Sequence, residues 1–213
     1  MKRSSRIVLP ATIACTVLLM GAYTWGRPAL SAPGRHVEVA ARPVTKLSND
    51  RVYLDSNQVR SGLADGAIDR PVLSLLKVDH PLQFGEVIWN DQNVPDGEPW
   101  IRVDLGKQLI SAFRGGHEVG TALIVYGGDN KETPTGTLHV LAKLRDHRSS
   151  LYDAEMPYTL RLTNDGVSIH ASNVRPQAAT HGCIGVPLEF ARKLFATMKV
   201  GDDVVVVPAA RPA

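Results

Sequence analysis

The sequence contains very little cysteine, because Cys15 and Cys183 are the only two among 213 residues. They do not form a Cys-x-x-Cys pair, which excludes a thioredoxin-like dithiol site. Cys15 lies within an N-terminal apolar run, so the rest of the chain has one cysteine and no internal disulfide. A lone thiol in an oxidising compartment is exposed to oxidation and unwanted pairing. In an exported chain, this favours a reactive role for Cys183 over a structural one.

Acidic residues are absent from residues 1–31, where basic residues precede an apolar run from Ile7 to Trp25. This arrangement, followed by small residues, is typical of an export signal, with an A-x-A-like cleavage site at Ala29-Leu30-Ser31. The apolar run is also about long enough to remain as an inner-membrane anchor. We therefore predict a periplasmic protein, either soluble after signal cleavage or anchored to the inner membrane by residues 7–25.

The chain has no excess of basic charge once this N-terminal segment is set aside. Four of its 24 lysine and arginine residues and none of its 21 acidic residues lie in residues 1–31, so the remainder has a net charge near −1. No basic face argues for a nucleic-acid partner. The oligomeric state is not specified by these patterns.

Metal-binding patterns are also missing. His139 and His147 lie close in sequence but lack paired cysteines or a Glu-x-x-His arrangement. We predict no metal and no cofactor.

The length beyond residue 31 suits one domain with a substantial core, preceded by a lead-in segment. From Pro33 to about Val78 the sequence is broken by turn-forming residues. This stretch fits a tether and fits an N-terminal part of the folded domain almost equally. The predicted parts are an export signal or anchor at 1–31, a periplasmic lead-in segment at 32–98 and a folded domain at 99–208. Partial packing of the lead-in segment on the domain is left open.

From Trp100 onward the pattern changes to short strand-like runs separated by turn residues. Asn164-Asp165-Gly166 is an Asp-Gly hairpin signal that leads into a strand at Val167–His170. Apolar residues at helical spacing predict a helix from Pro187 to Lys199. These patterns predict a mostly β domain with few helices. The other predicted strands are Trp100–Leu105, Gln108–Phe113, Glu118–Tyr126, Thr137–Leu144, Tyr158–Leu162 and Val204–Val207.

The most informative stretch is Thr180-His181-Gly182-Cys183-Ile184-Gly185, with His170 thirteen residues before Cys183. An imidazole that takes the thiol proton supplies a thiolate that attacks a carbonyl, so His170 is the candidate base. A backbone carbonyl just after His170 could hold the other ring nitrogen. Gly182 allows close backbone approach, and adjacent N–H groups can stabilise an oxyanion. A papain-like protease is excluded, since the histidine precedes the cysteine.

At these residues the chain resembles the L,D-transpeptidase catalytic domain family, also called YkuD-like. Thr180–Ile184 match five consecutive positions of its signature, and the resemblance spans roughly Trp100 to Val207. Thr133-Pro134-Thr135-Gly136-Thr137 resembles the family's turn before a strand, and Asp104–Leu109 resembles its opening hairpin. The resemblance implies a mostly β fold, a β-sandwich or barrel with one or two short helices.

The resemblance also implies roles for individual residues. Cys183 would be the nucleophile and His170 the general base, with the Ala171 carbonyl orienting the imidazole. The backbone N–H groups of His181, Gly182 and Cys183 would form the oxyanion hole, although the His181 ring fits a purely packing role as well. Five residues are candidates for substrate contact: Thr180, Asn173, Arg175, Tyr158 and Arg161. All of them except Thr180 fit a solvated surface or strand position as easily.

The sequence departs from the family pattern in two places. The loop between His170 and Cys183 is shorter than in many members, which changes the shape of the cleft. Gly185 stands where the family usually has Arg or Asn, and so lacks an anchor for a substrate carboxylate or for the loop. One lost charge-assisted hydrogen bond is worth roughly 1.5–3 kcal/mol, enough to slow the reaction or alter the substrate.

By the same resemblance, the partners would be peptidoglycan stem peptides. Cys183 would attack the carbonyl at the L-centre of diaminopimelate in a tetrapeptide, D-alanine would leave, and an amine of another stem would complete a 3-3 cross-link. Such a reaction would serve peptidoglycan biosynthesis, cell-wall organisation and cell shape. Two alternatives stay open: an L,D-carboxypeptidase or other hydrolase of these stems, and a catalytically silent wall-binding module.

Overall fold

The computed structural model describes residues 50–128, 131–149 and 153–209. The predicted export signal or anchor at 1–31 lies outside these residues, as do residues 32–49 of the lead-in segment. Within the part of the chain that is described, no helix is long and apolar enough to cross a membrane.

Strands dominate the described residues, which form twelve strands and two helices. In chain order they are β1 Arg51–Tyr53, α1 Ser56–Ala64, β2 Ser74–Leu76, β3 Val87–Trp89, β4 Pro99–Asp104, β5 Leu109–Arg114, β6 His117–Leu123, β7 Gly136–His139, β8 Ala142–Leu144, β9 Thr159–Arg161, β10 Ser168–Ala171, β11 Ile184–Val186, α2 Leu188–Thr197 and β12 Asp203–Val207.

The larger sheet has the strand order β1-β2-β6-β5-β4-β12-β7, and β3 also pairs with β6. Its centre is an antiparallel meander of β4, β5 and β6. The turn between β5 and β6 contains Gly115 and Gly116 with φ of 55° and 82°, which favours glycine at both positions. The predicted strands Trp100–Leu105, Gln108–Phe113 and Glu118–Tyr126 are confirmed, with small shifts at their ends.

Strand β12 lies inside the larger sheet. It pairs parallel with β4, from Asp203 opposite Trp100 to Val207 opposite Asp104, and antiparallel with β7 on its other side. The side chains of Val204 and Val206 are buried in the main core. The predicted strand at Val204–Val207 is confirmed.

The smaller sheet has the strand order β11-β10-β9-β8. It contains His170 on β10 and the residues directly after Cys183 on β11. Strands β9 and β10 pair antiparallel, with Ser168 opposite Arg161, which confirms the predicted Asp-Gly hairpin. Strands β10 and β11 pair parallel, with His170 opposite Gly185. This pairing brings the end of the histidine strand beside the residues that directly follow Cys183.

The predicted single strand at Thr137–Leu144 is wrong, because the chain changes sheets within it. β7 pairs with β12 in the larger sheet, whereas β8 pairs with β9 in the smaller one. The Val140 N–H donates to the Asp202 carbonyl at 2.9 Å, and the Leu141 N–H donates to the Arg161 carbonyl at 2.7 Å. Two consecutive amides therefore bond to residues that belong to different sheets or directly precede one of their strands, and the strand cannot continue.

Helix α2 packs against β10 and covers the core beside the histidine strand. Phe190, Leu194 and Met198 are fully buried, and Trp89 contacts the Phe190 ring edge-on with centroids 5.6 Å apart. Pro187 stands at the N-cap, where its missing N–H costs nothing. The helix predicted from Pro187 to Lys199 is thus confirmed, slightly shortened at both ends.

Part of the lead-in segment contributes strands to the larger sheet. β1 pairs with β2, and β2 meets β6 at His117. Ser74 Oγ accepts a hydrogen bond from Arg51 Nη1 at 3.0 Å and lies 2.9 Å from His117 Nδ1 in a buried cluster. Buried polar groups are stable when paired in this way, so the cluster ties these strands to the sheet.

Candidate active site

The residues around Cys183 form a loop, 180–185, that is clamped by the chain continuing beyond β6. The Val125 N–H donates to the Gly185 carbonyl at 3.0 Å, and the Gly185 N–H donates to the Val125 carbonyl at 2.8 Å. The Thr180 N–H donates to the Tyr126 carbonyl at 2.9 Å. Both ends of this cysteine loop are therefore fixed by backbone hydrogen bonds to residues 125–126.

Two glycines allow this close approach. A Cβ on Gly127 would lie 2.2 Å from the Lys131 carbonyl oxygen and 2.9 Å from the Gly182 Cα. Gly182 itself has φ of +95°, a conformation that other residues rarely adopt. The loop directly before the cysteine is thus shaped by positions where a side chain would not fit or would be strained.

Cys183 is a free, half-buried cysteine that lines a cavity of about 270 Å³ together with His170. Its thiol donates a long hydrogen bond to the Gly166 carbonyl, with the two atoms 3.9 Å apart. The Thr180 hydroxyl donates to the Cys183 carbonyl at 2.5 Å, which fixes the backbone at the cysteine. The cysteine is therefore positioned by its neighbours yet reachable from the cavity.

His170 lies at the end of β10, buried except for 8% of its surface. Its Nδ1 is 2.8 Å from the Ala171 carbonyl oxygen. A carbonyl can only accept, so Nδ1 carries the proton and the neutral ring keeps its lone pair on Nε2. Burial, the largest cause, lowers the pKa of His170 below its ordinary 6.5; the Ala171 contact opposes the shift and the charge of His147 adds to it.

The Cys183 thiol is also kept neutral. Burial raises its pKa above the ordinary 9.0, and the carboxylate of Asp165 acts in the same direction. A hydrogen bond from the Ser168 backbone and the charge of Lys131 oppose this shift. With a raised thiol pKa and a lowered imidazole pKa, the resting cavity holds a neutral thiol and a neutral imidazole.

This electrostatic state predicts how the free thiol reacts. Alkylation of Cys183 by the uncharged reagent iodoacetamide is expected to rise with pH through a midpoint above 9.0, since only the thiolate is nucleophilic. Rates measured by mass spectrometry between pH 5 and 10 test this. A plateau already reached at neutral pH would instead indicate a preformed thiolate–imidazolium pair.

The structure gathers some of the predicted site residues and separates others. Thr180 and the exposed His181 line the cavity with Cys183 and His170. Ala171 lies next to His170 with its carbonyl on the ring. Four predicted substrate contacts are not among the residues lining the cavity: Asn173, Arg175, Tyr158 and Arg161.

Local packing explains where these four residues lie. Asn173 and Arg175 are exposed on the loop after β10. The Tyr158 ring packs edge-on against Phe195 of α2, with centroids 5.7 Å apart. Arg161 lies on β9, and its Nε is buried without a hydrogen-bond partner.

Sequence reasoning missed several residues that do line the cavity, among them Lys131, His147 and Met156. Lys131 forms an ion pair with Asp165, with Nζ and Oδ2 3.3 Å apart. Lys131 lies two residues before Thr133, the first residue of the turn noted for its family resemblance. This position was its only signal in the sequence. His147 and Met156 meet across a backbone hydrogen bond of 2.7 Å, which no local pattern indicated.

Gly185 has a packing reason for lacking a side chain. A Cβ there would lie 2.7 Å from both the Ser172 Cβ and the Val125 Cγ2. The parallel pairing of β10 with β11 and the clamp from residue 125 leave no space at this position. An anchoring arginine or asparagine therefore cannot be restored at 185 without moving these neighbours.

Replacing Gly185 with alanine is expected to lower the free energy of unfolding by about 1–3 kcal/mol through overpacking. Urea denaturation measures this. Gly128→Ala is the control, because its Cβ would meet only the Ala179 Cβ, at 3.3 Å. Equal stability losses in the two variants would contradict the packing explanation.

Solved L,D-transpeptidase structures share this mostly β fold. The L,D-transpeptidase from Stackebrandtia nassauensis is 21% identical, and the match covers 57% of this chain and 62% of that chain at a TM-score of 0.50. An L,D-transpeptidase from Mycobacterium smegmatis is 20% identical, and the match covers 53% of this chain and 59% of that chain at a TM-score of 0.49. A Cys-to-Ser mutant of an L,D-transpeptidase from Enterococcus faecium is 26% identical, and the match covers 53% of this chain and 50% of that chain at a TM-score of 0.48. The matches span less than two thirds of each of these proteins.

The family assignment comes from the sequence. The YkuD family model, described as the L,D-transpeptidase catalytic domain, matches residues 98–207, just over half of the chain. The protein belongs to this family, which confirms the resemblance. No curated protein sequence matches the chain.

Proposed function

We propose that the protein is a peptidoglycan L,D-transpeptidase that acts through a thioester on Cys183. The observation that carries this proposal is the cavity shared by Cys183 and His170, with His170 Nδ1 occupied by the Ala171 carbonyl. That contact leaves Nε2 as the one ring atom able to accept a proton. Family membership supports the choice of stem peptides as substrates.

In the acylation step, the Cys183 sulfur attacks the carbonyl carbon at the L-centre of diaminopimelate while His170 Nε2 takes the thiol proton. The tetrahedral intermediate collapses, the bond from this carbon to the D-alanine nitrogen breaks, and the imidazolium returns its proton to the leaving amine. The lowered pKa of His170 suits this role, because the ring is neutral before attack.

In the second step, the side-chain amine of another stem attacks the thioester carbonyl. Its proton passes to His170 Nε2 and then to the departing Cys183 sulfur, which regenerates the neutral pair. Water in place of the amine would give a shortened stem peptide and no cross-link. Cross-linking and hydrolysis therefore differ only in the second nucleophile.

The rigid cysteine loop supports charge stabilisation during both steps. The backbone N–H groups of His181, Gly182 and Cys183 are proposed to stabilise the oxyanion. The hydrogen bond from Thr180 to the Cys183 carbonyl and the clamp from residues 125–126 hold the loop before substrate arrives. Such preorganisation avoids the cost of ordering the loop in the transition state.

The proposed location is the periplasm, either free or held by an N-terminal anchor, where stem peptides are accessible. The chemical test is to incubate the full chain with disaccharide-tetrapeptide and to follow the products by mass spectrometry. A 3-3 cross-linked dimer with released D-alanine is expected, and its yield should rise with added amine acceptor. Tripeptide alone, independent of amine, would replace the proposal with an L,D-carboxypeptidase.

A separate labelling experiment tests for a catalytically silent wall-binding module. Carbapenems are acylating probes for cysteine enzymes of this family, so Cys183 of the folded chain is expected to gain the mass of the drug. If the folded protein stays unmodified while its denatured form shows a free thiol, the proposed acyl-transfer function is wrong.

A further inference from the structure

The described residues that line the cavity around Cys183 include one fixed positive charge. Among the described residues that line it, Lys131 is the only lysine or arginine and Asp165 the only carboxylate. The remaining titratable side chains there, besides Cys183, are three histidines. A negatively charged part of a ligand would therefore find its strongest fixed attraction at Lys131.

Lys131 lies directly beside the cysteine loop. A Cβ built on Gly182 would be 3.4 Å from the Lys131 Cγ and 3.5 Å from its Cδ, so the lysine stem runs along the residue before Cys183. A group held by Lys131 would consequently lie close to the reacting carbonyl.

The position that usually supplies an anchoring side chain in the family cannot do so here. Gly185 has no space for a Cβ between Ser172 and Val125. Any cation that binds a substrate carboxylate near Cys183 must come from another segment. Lys131 reaches the cavity from the loop that follows Gly127, which touches the cysteine loop.

We propose that Lys131 binds a free carboxylate of the donor stem peptide, next to the bond that is cleaved. This inference rests on the proposed function and deepens it by naming a specificity-determining residue. The two carboxylates closest to that bond are the side-chain carboxylate of diaminopimelate and the terminal carboxylate of D-alanine. Lys131 thereby takes the place of the anchor that Gly185 lacks.

The partner of Lys131 in the free protein can be exchanged at low cost. The side chain of Asp165 is 65% exposed, so water can solvate its carboxylate when the lysine turns to a substrate. Exposed ion pairs contribute little to stability, and a lysine is a flexible point charge. Asp165 thus holds Lys131 at the cavity rim without locking it there.

The test measures kcat and KM of the full chain on three tetrapeptides: one with all carboxylates free, one amidated at the diaminopimelate side chain and one amidated at the terminal D-alanine. Lys131→Met is expected to raise KM for the free substrate about tenfold with kcat nearly unchanged, the pattern of lost uniform binding. On the substrate amidated at the bound carboxylate, the same variant should match the wild type. Lys131→Arg should retain the preference for the free carboxylate.

Lys107→Met is the matched control, because Lys107 also pairs with a carboxylate, Asp104, at 3.8 Å but lies outside the cavity. It should leave all three substrates unaffected. Equal losses for Lys131→Met on all three substrates would overturn the inference while leaving the transpeptidase proposal intact. If the wild type turns over none of them and Cys183 is not acylated, the proposed function fails and the inference with it.

Discussion

Replacement of Cys183 by alanine is expected to lower D-alanine release from tetrapeptide by about 10⁴-fold or more, the scale seen when a covalent nucleophile is removed. The reason is that every bond change in the proposed reaction passes through the Cys183 sulfur. The remaining groups of the cavity can bind the stem peptide but cannot form the thioester. Product release is measured by mass spectrometry, and the covalent acyl-enzyme should be absent as well.

The same variant should fold normally. Cys183 is half-buried at a cavity, and its sulfur makes polar contacts with the Gly166 carbonyl, 3.9 Å away, and with the Ser168 backbone, so alanine removes little packing. The free energy of unfolding is expected to change by less than about 1 kcal/mol. Wild-type turnover by the alanine variant would defeat the mechanism, and a large loss of stability would instead mean that Cys183 is a packing residue.

Replacement of His170 by asparagine is expected to lower kcat/KM by about 10²–10⁴-fold, the usual contribution of a positioned general base. An asparagine amide can still donate to the Ala171 carbonyl but cannot accept the thiol proton. His139→Asn is the control, since His139 is exposed and pairs with Asp203 outside the cavity. A similar loss in both variants would argue against the role of His170 as a base.

The pH profile gives a second readout for His170. Only the neutral imidazole can act as a base, and burial holds the His170 pKa below 6.5. Activity should therefore persist through neutral pH and fall only when the pH drops through this lowered value. The acid limb of kcat/KM should disappear in His170→Asn. If the acid limb of the wild-type kcat/KM profile is centred above pH 6.5, the pKa of His170 is not lowered and this explanation is wrong.

Local signals in the sequence were sufficient for much of the fold. The Asp-Gly turn at 164–166 specifies a hairpin through backbone geometry, and the apolar spacing after Pro187 specifies a helix through one buried face. The cysteine motif is likewise continuous in sequence. Such features are set by neighbouring residues, so they could be predicted without knowledge of the tertiary contacts.

Contacts between distant segments could not be predicted in this way. Lys131 reaches the cavity because Gly127 and Gly182, far apart in sequence, allow two loops to touch. Tyr158 turns towards Phe195 because α2 packs over that region. The change of sheet at Val140 depends on the Asp202 and Arg161 carbonyls, which accept hydrogen bonds from the amides of Val140 and Leu141, respectively. In each case a residue's place was decided by a partner that local patterning does not reveal.

The position of β12 has a consequence for the order in which the larger sheet can assemble during synthesis. This strand is the last one in the described chain, yet it lies between β4 and β7. A nascent chain that has not yet released residue 203 from the ribosome lacks the strand that joins these two, although its cysteine loop is already made. Pairing across about one hundred residues is also slow to form. The larger sheet can therefore join β4 to β7 only once residues 203–207 are available to pair between them.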